Sequence, residues 1–230
     1  MLAGMNISSS PFASLLAAGA VAAVLAGCDT AASGALGQSS ISQGCAGSTL
    51  PCAGASDLQA PLAVGTSVDL SVDLELQGGG EPPIQLVSTE PSVFTVAQQT
   101  LTGVSPGRGT LLLVSEENVV LDFVAMWVQE PASLAVSRLS ADGADLGEVP
   151  GELGLVVGDS VSVAVSTLSL TEPLSGRPKV AWSVADPSVA SVVDAGVLGV
   201  GSVVARAPGS TQVTASALGL ETSFAVEVTP

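Results

Sequence analysis

After the turn at Gly65, apolar Val68, Leu70, Val72, Leu74 and Leu76 alternate with polar Asp69, Ser71, Asp73 and Glu75. A period of two places the apolar set on one face and the acids in water, which predicts a half-buried β-strand. The same start returns later, where Val161, Val163 and Val165 alternate with Ser160, Ser162 and Ser166. There the parity slips near Thr167 and resumes at Leu168 and Leu170, which predicts a bulge or a bend. Val119 to Val128 is apolar at both parities and interrupted by Asp122. That run is too short to span a bilayer and predicts a strand buried on both faces, or one that turns a face to a neighbouring domain.

Beyond residue 60 the chain repeats itself. Ala63-Val64-Gly65-Thr66-Ser67-Val68 returns as Val156-Val157-Gly158-Asp159-Ser160-Val161, and Glu90-Pro91-Ser92-Val93 returns as Asp186-Pro187-Ser188-Val189. Val104-Ser105-Pro106-Gly107 returns as Arg206-Ala207-Pro208-Gly209. Order is kept while the spacing drifts, as happens when one fold is copied and its loops change length. The acid-Pro pairs open turns because Pro fixes φ and removes a ladder donor, and the Pro-Gly pairs are stronger turn signals still. Short strands punctuated at intervals of about ten residues predict an all-β chain of two tandem β-sandwiches. Their expected limits are 59–130 and 131–230.

The order of these landmarks resembles the group 2 bacterial immunoglobulin-like domains of intimin- and invasin-like surface proteins. The closest stretch is Trp182 to Val192, followed by Val200 through Pro208-Gly209 and the closing Phe224 to Val228. The resemblance covers about 170 of the 230 residues. It implies two immunoglobulin-like sandwiches and puts the indole of Trp182 in a core. In the first copy Val87 stands where that tryptophan would be, and the opening strand is not evident. Trp127 is expected either in a strand buried on two sides or on a face that meets the second domain across the Glu130-Pro131 junction.

Composition narrows the chemistry. With a formal net charge of −16 and five Lys plus Arg, none before Arg108, the chain is no nucleic-acid binder. Histidine is absent, Lys179 is the only lysine and Ser-x-x-Lys does not occur, so no nucleophile has its usual base. Paired carboxylates could run glycoside hydrolysis, but aromatic residues are only 3% of the chain and leave few sugar shelves. Asp142, Asp145, Glu148 and Glu152 lack the Asp-x-Asp-x-Asp-Gly spacing of a calcium loop and read as a solvated acidic loop. The expectation is a non-enzyme with no cofactor and no metal site.

The N-terminus supplies an address. Leu15 to Leu25 is apolar, shorter than a spanning helix, and is followed by Ala26-Gly27-Cys28. Leu25-Ala26-Gly27-Cys28 resembles the lipobox of bacterial lipoproteins. The resemblance implies that residues 1–27 are a signal peptide and that Cys28 carries acyl chains such as palmitate. An uncleaved apolar helix is the alternative. Residues 28–58 are rich in Ser, Gly and Ala and read as a tether. Once Cys28 is acylated, Cys45 and Cys52 are left to pair as a disulfide, against a metal site or a redox pair as alternatives.

These readings together describe a protein anchored by lipid to the cell membrane or outer membrane, facing the periplasm or the cell surface. Its sandwiches would act as a structural spacer or as a contact and adhesion module toward a protein or cell-surface partner. The alternative is a glycan-binding module of the envelope.

Overall fold

The alternation and turn signals are realised strand by strand. In a computed structural model of the chain, residues 31–34, 37–45, 58, 60–76 and 83–230 are described. The first domain contains β1 (Ala31–Gly34), β2 (Gly37–Cys45), β3 (Leu62–Ala63), β4 (Ser67–Leu76) and β5 (Ile84–Ser88), then β6 (Phe94–Ala97), β7 (Thr100–Gly103), β8 (Gly107–Ser115) and β9 (Val120–Gln129). The second contains β10 (Ser133–Leu139), β11 (Asp145–Glu148), β12 (Glu152–Val156), β13 (Ser160–Leu168) and β14 (Ala181–Val184), then β15 (Ala190–Asp194), β16 (Val200–Ala205), β17 (Gly209–Ala217) and β18 (Leu220–Thr229).

In the second domain a sheet ordered β11-β10-β13-β16-β15 faces one ordered β12-β18-β17-β14; in the first, β1-β2-β4-β7-β6 faces β3-β9-β8-β5. Setting aside the edge additions β1, β3, β11 and β12, each domain has its first, second, fifth and fourth strands in one sheet and its third, sixth and seventh in the other. That is the immunoglobulin strand order. Each pair of sheets closes on its own core. Ile41, Leu70 and Phe94 from one sheet meet Leu111, Leu113 and Met126 from the other in the first domain. Val136, Val163 and Val203 meet Leu153, Val213 and Phe224 in the second. Each fully buried Leu or Phe contributes about 2–3 kcal/mol of transfer free energy before the ordering costs.

The repeated turns have one geometry. Gly65 and Gly158 take φ of 77° and 93°, and the amides two residues beyond Val64 and Val157 close them: Thr66 N–H donates to Ala63 O at 3.2 Å and Asp159 N–H to Val156 O at 2.9 Å. This is a turn with left-handed backbone at its third residue, the conformation glycine adopts without a side-chain clash.

Two expectations need correction. Residues 31–34 and 37–45, expected in the tether, are strands. All of β2 pairs antiparallel with β4, from Gly37↔Leu76 to Cys45↔Val68, as β10 pairs with β13. The first domain's opening strand therefore lies within that Ser- and Gly-rich stretch. Second, the β10–β13 ladder runs without a break from Ser133↔Leu168 to Leu139↔Ser162, so no bulge interrupts it at Thr167. The parity slips because Val163 through Thr167 are buried on both faces. The chain after β13 turns back along the edge of β13 that β16 leaves free, with Leu168 bridging Pro173 antiparallel and Leu174 N–H donating to Thr167 O at 2.9 Å.

Candidate functional site

The acids of the second domain serve their own turns. Asp142 accepts a hydrogen bond from Ser140 Oγ, and Asp145 Oδ1 accepts one from Gly147 N–H at 2.7 Å. Asp142, Asp145, Glu148 and Glu152 are all exposed, and among the described residues no group of three or more Cys, Asp or Glu is placed to hold a metal. Asp186 accepts both the Ser188 hydroxyl, at 2.6 Å, and the Ser188 amide, at 2.9 Å, which pins the acid-Pro turn. The side-chain bonds from Ser140 and Ser188 are the main causes that hold Asp142 and Asp186 below the ordinary aspartate pKa. A depressed native pKa gives stability that is complete above the unfolded value and is lost as pH falls through the native one. An NMR titration is expected to place both midpoints below those of the urea-unfolded chain, and Ser188→Ala to raise that of Asp186.

The two tryptophans differ. Trp182 is half-buried and packs against the second core, with Gly201 beneath it: a Cβ there would lie 2.9 Å from Trp182 Cε2. Its edge also lines an open groove of about 460 Å³ bordered by Lys179, Asp194 and Leu198. Trp127 is half-buried and meets its cross-strand neighbour. Arg108 pairs with it in the β8–β9 ladder, and the guanidinium sits 4.9 Å from the ring centroid.

The junction is built from backbone. Residues 172–177 of the second domain lie along β3, the short edge strand of the first. Ala63 N–H donates to Ser175 O at 3.1 Å, Ser175 N–H to Pro61 O at 2.7 Å, and Ser67 bridges Arg177 antiparallel. Thr66 Oγ1 donates to Ala63 O at 2.8 Å and reaches Ser175 O at 3.3 Å, while Gln129 Nε2 donates to Glu172 Oε1 at 3.1 Å. Leu62, Leu174, Ser175 and Arg177 are each at most 2% exposed. Burial lowers the pKa of the Arg177 guanidinium. The segment thus covers a sheet edge that would otherwise present unpaired backbone groups. Sequence reasoning missed it, because Ser-Gly-Arg-Pro reads as a solvated loop. Length gives no signal either, since Gly158 to Trp182 spans only two residues more than Gly65 to Val87.

The first half of the apolar run from Val119 to Val128 is neither buried on both faces nor covered by the second domain. The run's inward residues Asp122, Met126 and Val128 are buried, but Val119 and Val120 are each 51% exposed and Phe123 is 68% exposed. Asp122, at the core side, accepts the Ser39 hydroxyl of β2 at 2.7 Å. Phe123 lies in one ladder row with Leu112 of β8 and Val87 of β5, the last of these 40% exposed. The equivalent row of the second domain is Ser223, Thr214 and Ser183, so Leu86, partly buried against the first core, and not Val87 stands in the place of Trp182.

The fold and these surfaces define a pair of immunoglobulin-like β-sandwiches joined by a backbone-bonded junction. The chain matches no known family description and no curated protein sequence. Among solved structures it overlaps domains 4 and 5 of the S-layer protein SbsC at 17% identity and a TM-score of 0.33, over 68% of this chain and 82% of that one. It overlaps the Yersinia pseudotuberculosis adhesin InvE at 14% identity and 0.33, over 75% of this chain and 57% of that one. A C-terminal intimin fragment, solved with the intimin-binding domain of the translocated intimin receptor, overlaps at 16% and 0.29, over 74% of this chain and 61% of that one. This chain therefore spans less than two thirds of the InvE and intimin chains. With every TM-score below 0.5, the fold assignment stands on the strand pairing itself.

Proposed function

We propose that the protein is a lipid-anchored spacer and contact module of the cell envelope, held by acylated Cys28 and projecting two immunoglobulin-like domains from the membrane. The observation that carries the spacer reading is the junction. Domains joined by one flexible linker set no distance, whereas strand-like bonds between residues 60–67 and 172–177 hold the two sandwiches as one arm. The anchor rests on the lipobox resemblance, and Cys28 lies outside the described residues, as do residues 1–27 of the signal peptide. So does Cys52, the proposed disulfide partner of Cys45 at the end of β2. Two or more acyl chains hold a protein to a bilayer far more firmly than one. The net charge of −16 favours solubility in that setting. The absence of histidine and the scattered, self-bonded acids support a non-enzymatic role.

Membrane fractionation tests the anchor: Cys28→Ala is expected to move the protein from the membrane to the soluble fraction, and a variant that still floats with lipid would overturn it. Protease digestion of a C-terminal tag on intact and permeabilised cells tests the placement. Digestion on intact cells places the domains at the cell surface; protection until permeabilisation places them in the periplasm. Degradation in the cytoplasm, before any export, would overturn the envelope reading.

A further inference from the structure

We infer that the outer face of the β5-β8-β9 sheet is a self-association surface on which a second copy of this chain packs about a two-fold axis through the Val87–Leu112–Phe123 row. The observation that calls for an occupant is the contrast between two copies of one sheet. In the second domain the outward row is Ser183, Thr214 and Ser223, with Gln212 Nε2 bonded to Ser223 Oγ at 3.1 Å, as a solvated face should be. The first domain keeps the register but carries Val87, Leu112 and Phe123 at the same three places, with Phe123 68% exposed. A phenylalanine so exposed beside two half-exposed valines forms a patch, which monomeric proteins seldom leave in water.

Charge selects a second copy as the occupant. The chain carries −16, yet the outward positions of β8 from Arg108 to Leu112 and of β9 from Phe123 to Trp127 hold no acid. Arg108 is the only cation before Arg138 and lies on this face, stacked on Trp127. Leu112 is four residues from Arg108 on one side and four from Glu116 on the other, about 13 Å each way at the rise of a strand. A two-fold axis in the interface, perpendicular to the strands, brings each residue of the central row against its own copy. The same axis puts Arg108 and Trp127 of one molecule against the Glu116-Glu117 turn and Val119 of the other. Glu116, Glu117 and Val119 are exposed. The face is thus self-complementary in both charge and apolar contact, as an isologous interface requires.

Size sets the strength. Strands of five, nine and ten residues give a plan area of about 400 Å² per copy, or about 800 Å² in all, which falls in the class of weak and transient contacts. Copies confined to one surface would associate through raised effective concentration.

Sedimentation velocity of the full chain, from about 1 µM to about 500 µM, tests this. The expected result is a concentration-dependent monomer–dimer equilibrium. Giving the face the second domain's own residues, by Val87→Ser with Phe123→Ser, should raise the dissociation constant by about tenfold or more. Arg108→Glu alone, and Glu116→Arg with Glu117→Arg alone, should each raise it about fivefold, and combining them should restore it. The swap distinguishes this geometry from general stickiness and does not depend on the serine variants. A chain that stays monomeric throughout, a dimer indifferent to the serine pair, or a swap without recovery would overturn the proposal. So would a monomer whose Trp127 fluorescence responds to envelope polysaccharide or to lipid vesicles, since the face would then serve a different occupant.

Discussion

Replacing Gly176 by alanine is expected to unlock the two domains. Gly176 has φ of 88°, a left-handed conformation that costs a residue with a Cβ about 1–2 kcal/mol. The added Cβ would lie 2.1 Å from Thr66 Oγ1, 2.7 Å from Thr66 Cβ and 2.9 Å from Leu62 Cδ1. Thr66 and Leu62 are 1% and 0% exposed, so neither can swing away. Relief requires the 172–177 segment to lift from β3, which breaks the bonds of Ser175 to Ala63 and Pro61. Strain and overlap together should cost the junction about 3 kcal/mol or more, enough to populate the open arrangement. Small-angle scattering is expected to change from the profile of one rigid arm to that of two bodies on a linker. Amide relaxation should show each domain tumbling with its own correlation time. Gly147→Ala is the control: φ is 98° there but nothing lies within 4 Å of the new Cβ, so it carries local strain with no effect on the junction. If Gly176→Ala leaves the scattering profile unchanged, the backbone bonds do not hold the arm and the spacer reading loses its main support.

The features readable from sequence are those set by local pattern. The period of two in β4, the glycine turns at Gly65 and Gly158 and the acid-Pro-Ser-Val turns are each determined within a few residues, and the structure has them where the pattern puts them. The missed features depend on distant chain. In β2 the inward residues are Ser39, Ile41 and Gln43, of which only isoleucine is strongly apolar, so no alternation marks the strand. Its place comes from backbone pairing with β4, and a Ser- and Gly-rich composition conceals it. Arg177 is 2% exposed in a stretch whose local chemistry predicts solvent, because distant chain covers it: its backbone bridges Ser67 of the other domain and its side chain lies against Gly199. The β9 run errs in the opposite direction. Apolar residues at both parities point to burial on both faces or against the second domain, but hydrophobicity records what a face prefers to meet and not whether that partner is in the same chain.

The substitution that best separates strand from tether is Ile41→Asp. Ile41 is 1% exposed, opposite Val72 in the β2–β4 ladder, and occupies the place that Val136 holds opposite Val165 in the second domain. Truncating such a residue to alanine costs about 2–5 kcal/mol, and a carboxylate there adds the penalty of an unpaired buried charge, a sum comparable to the whole stability of a small domain. The loss should be confined to the first domain, since the second closes on its own core. Each domain contains one tryptophan, so urea unfolding followed by Trp127 emission in a Trp182→Phe background reads the first domain, and Trp182 emission in a Trp127→Phe background reads the second. The first midpoint is expected to collapse while the second stays in place. Ser39→Ala should add a smaller loss, about 1–3 kcal/mol, because the buried Asp122 carboxylate then loses the hydroxyl that reaches it across the core. If residues 37–45 were a solvated tether, both substitutions would stay within about 0.5 kcal/mol of the parent.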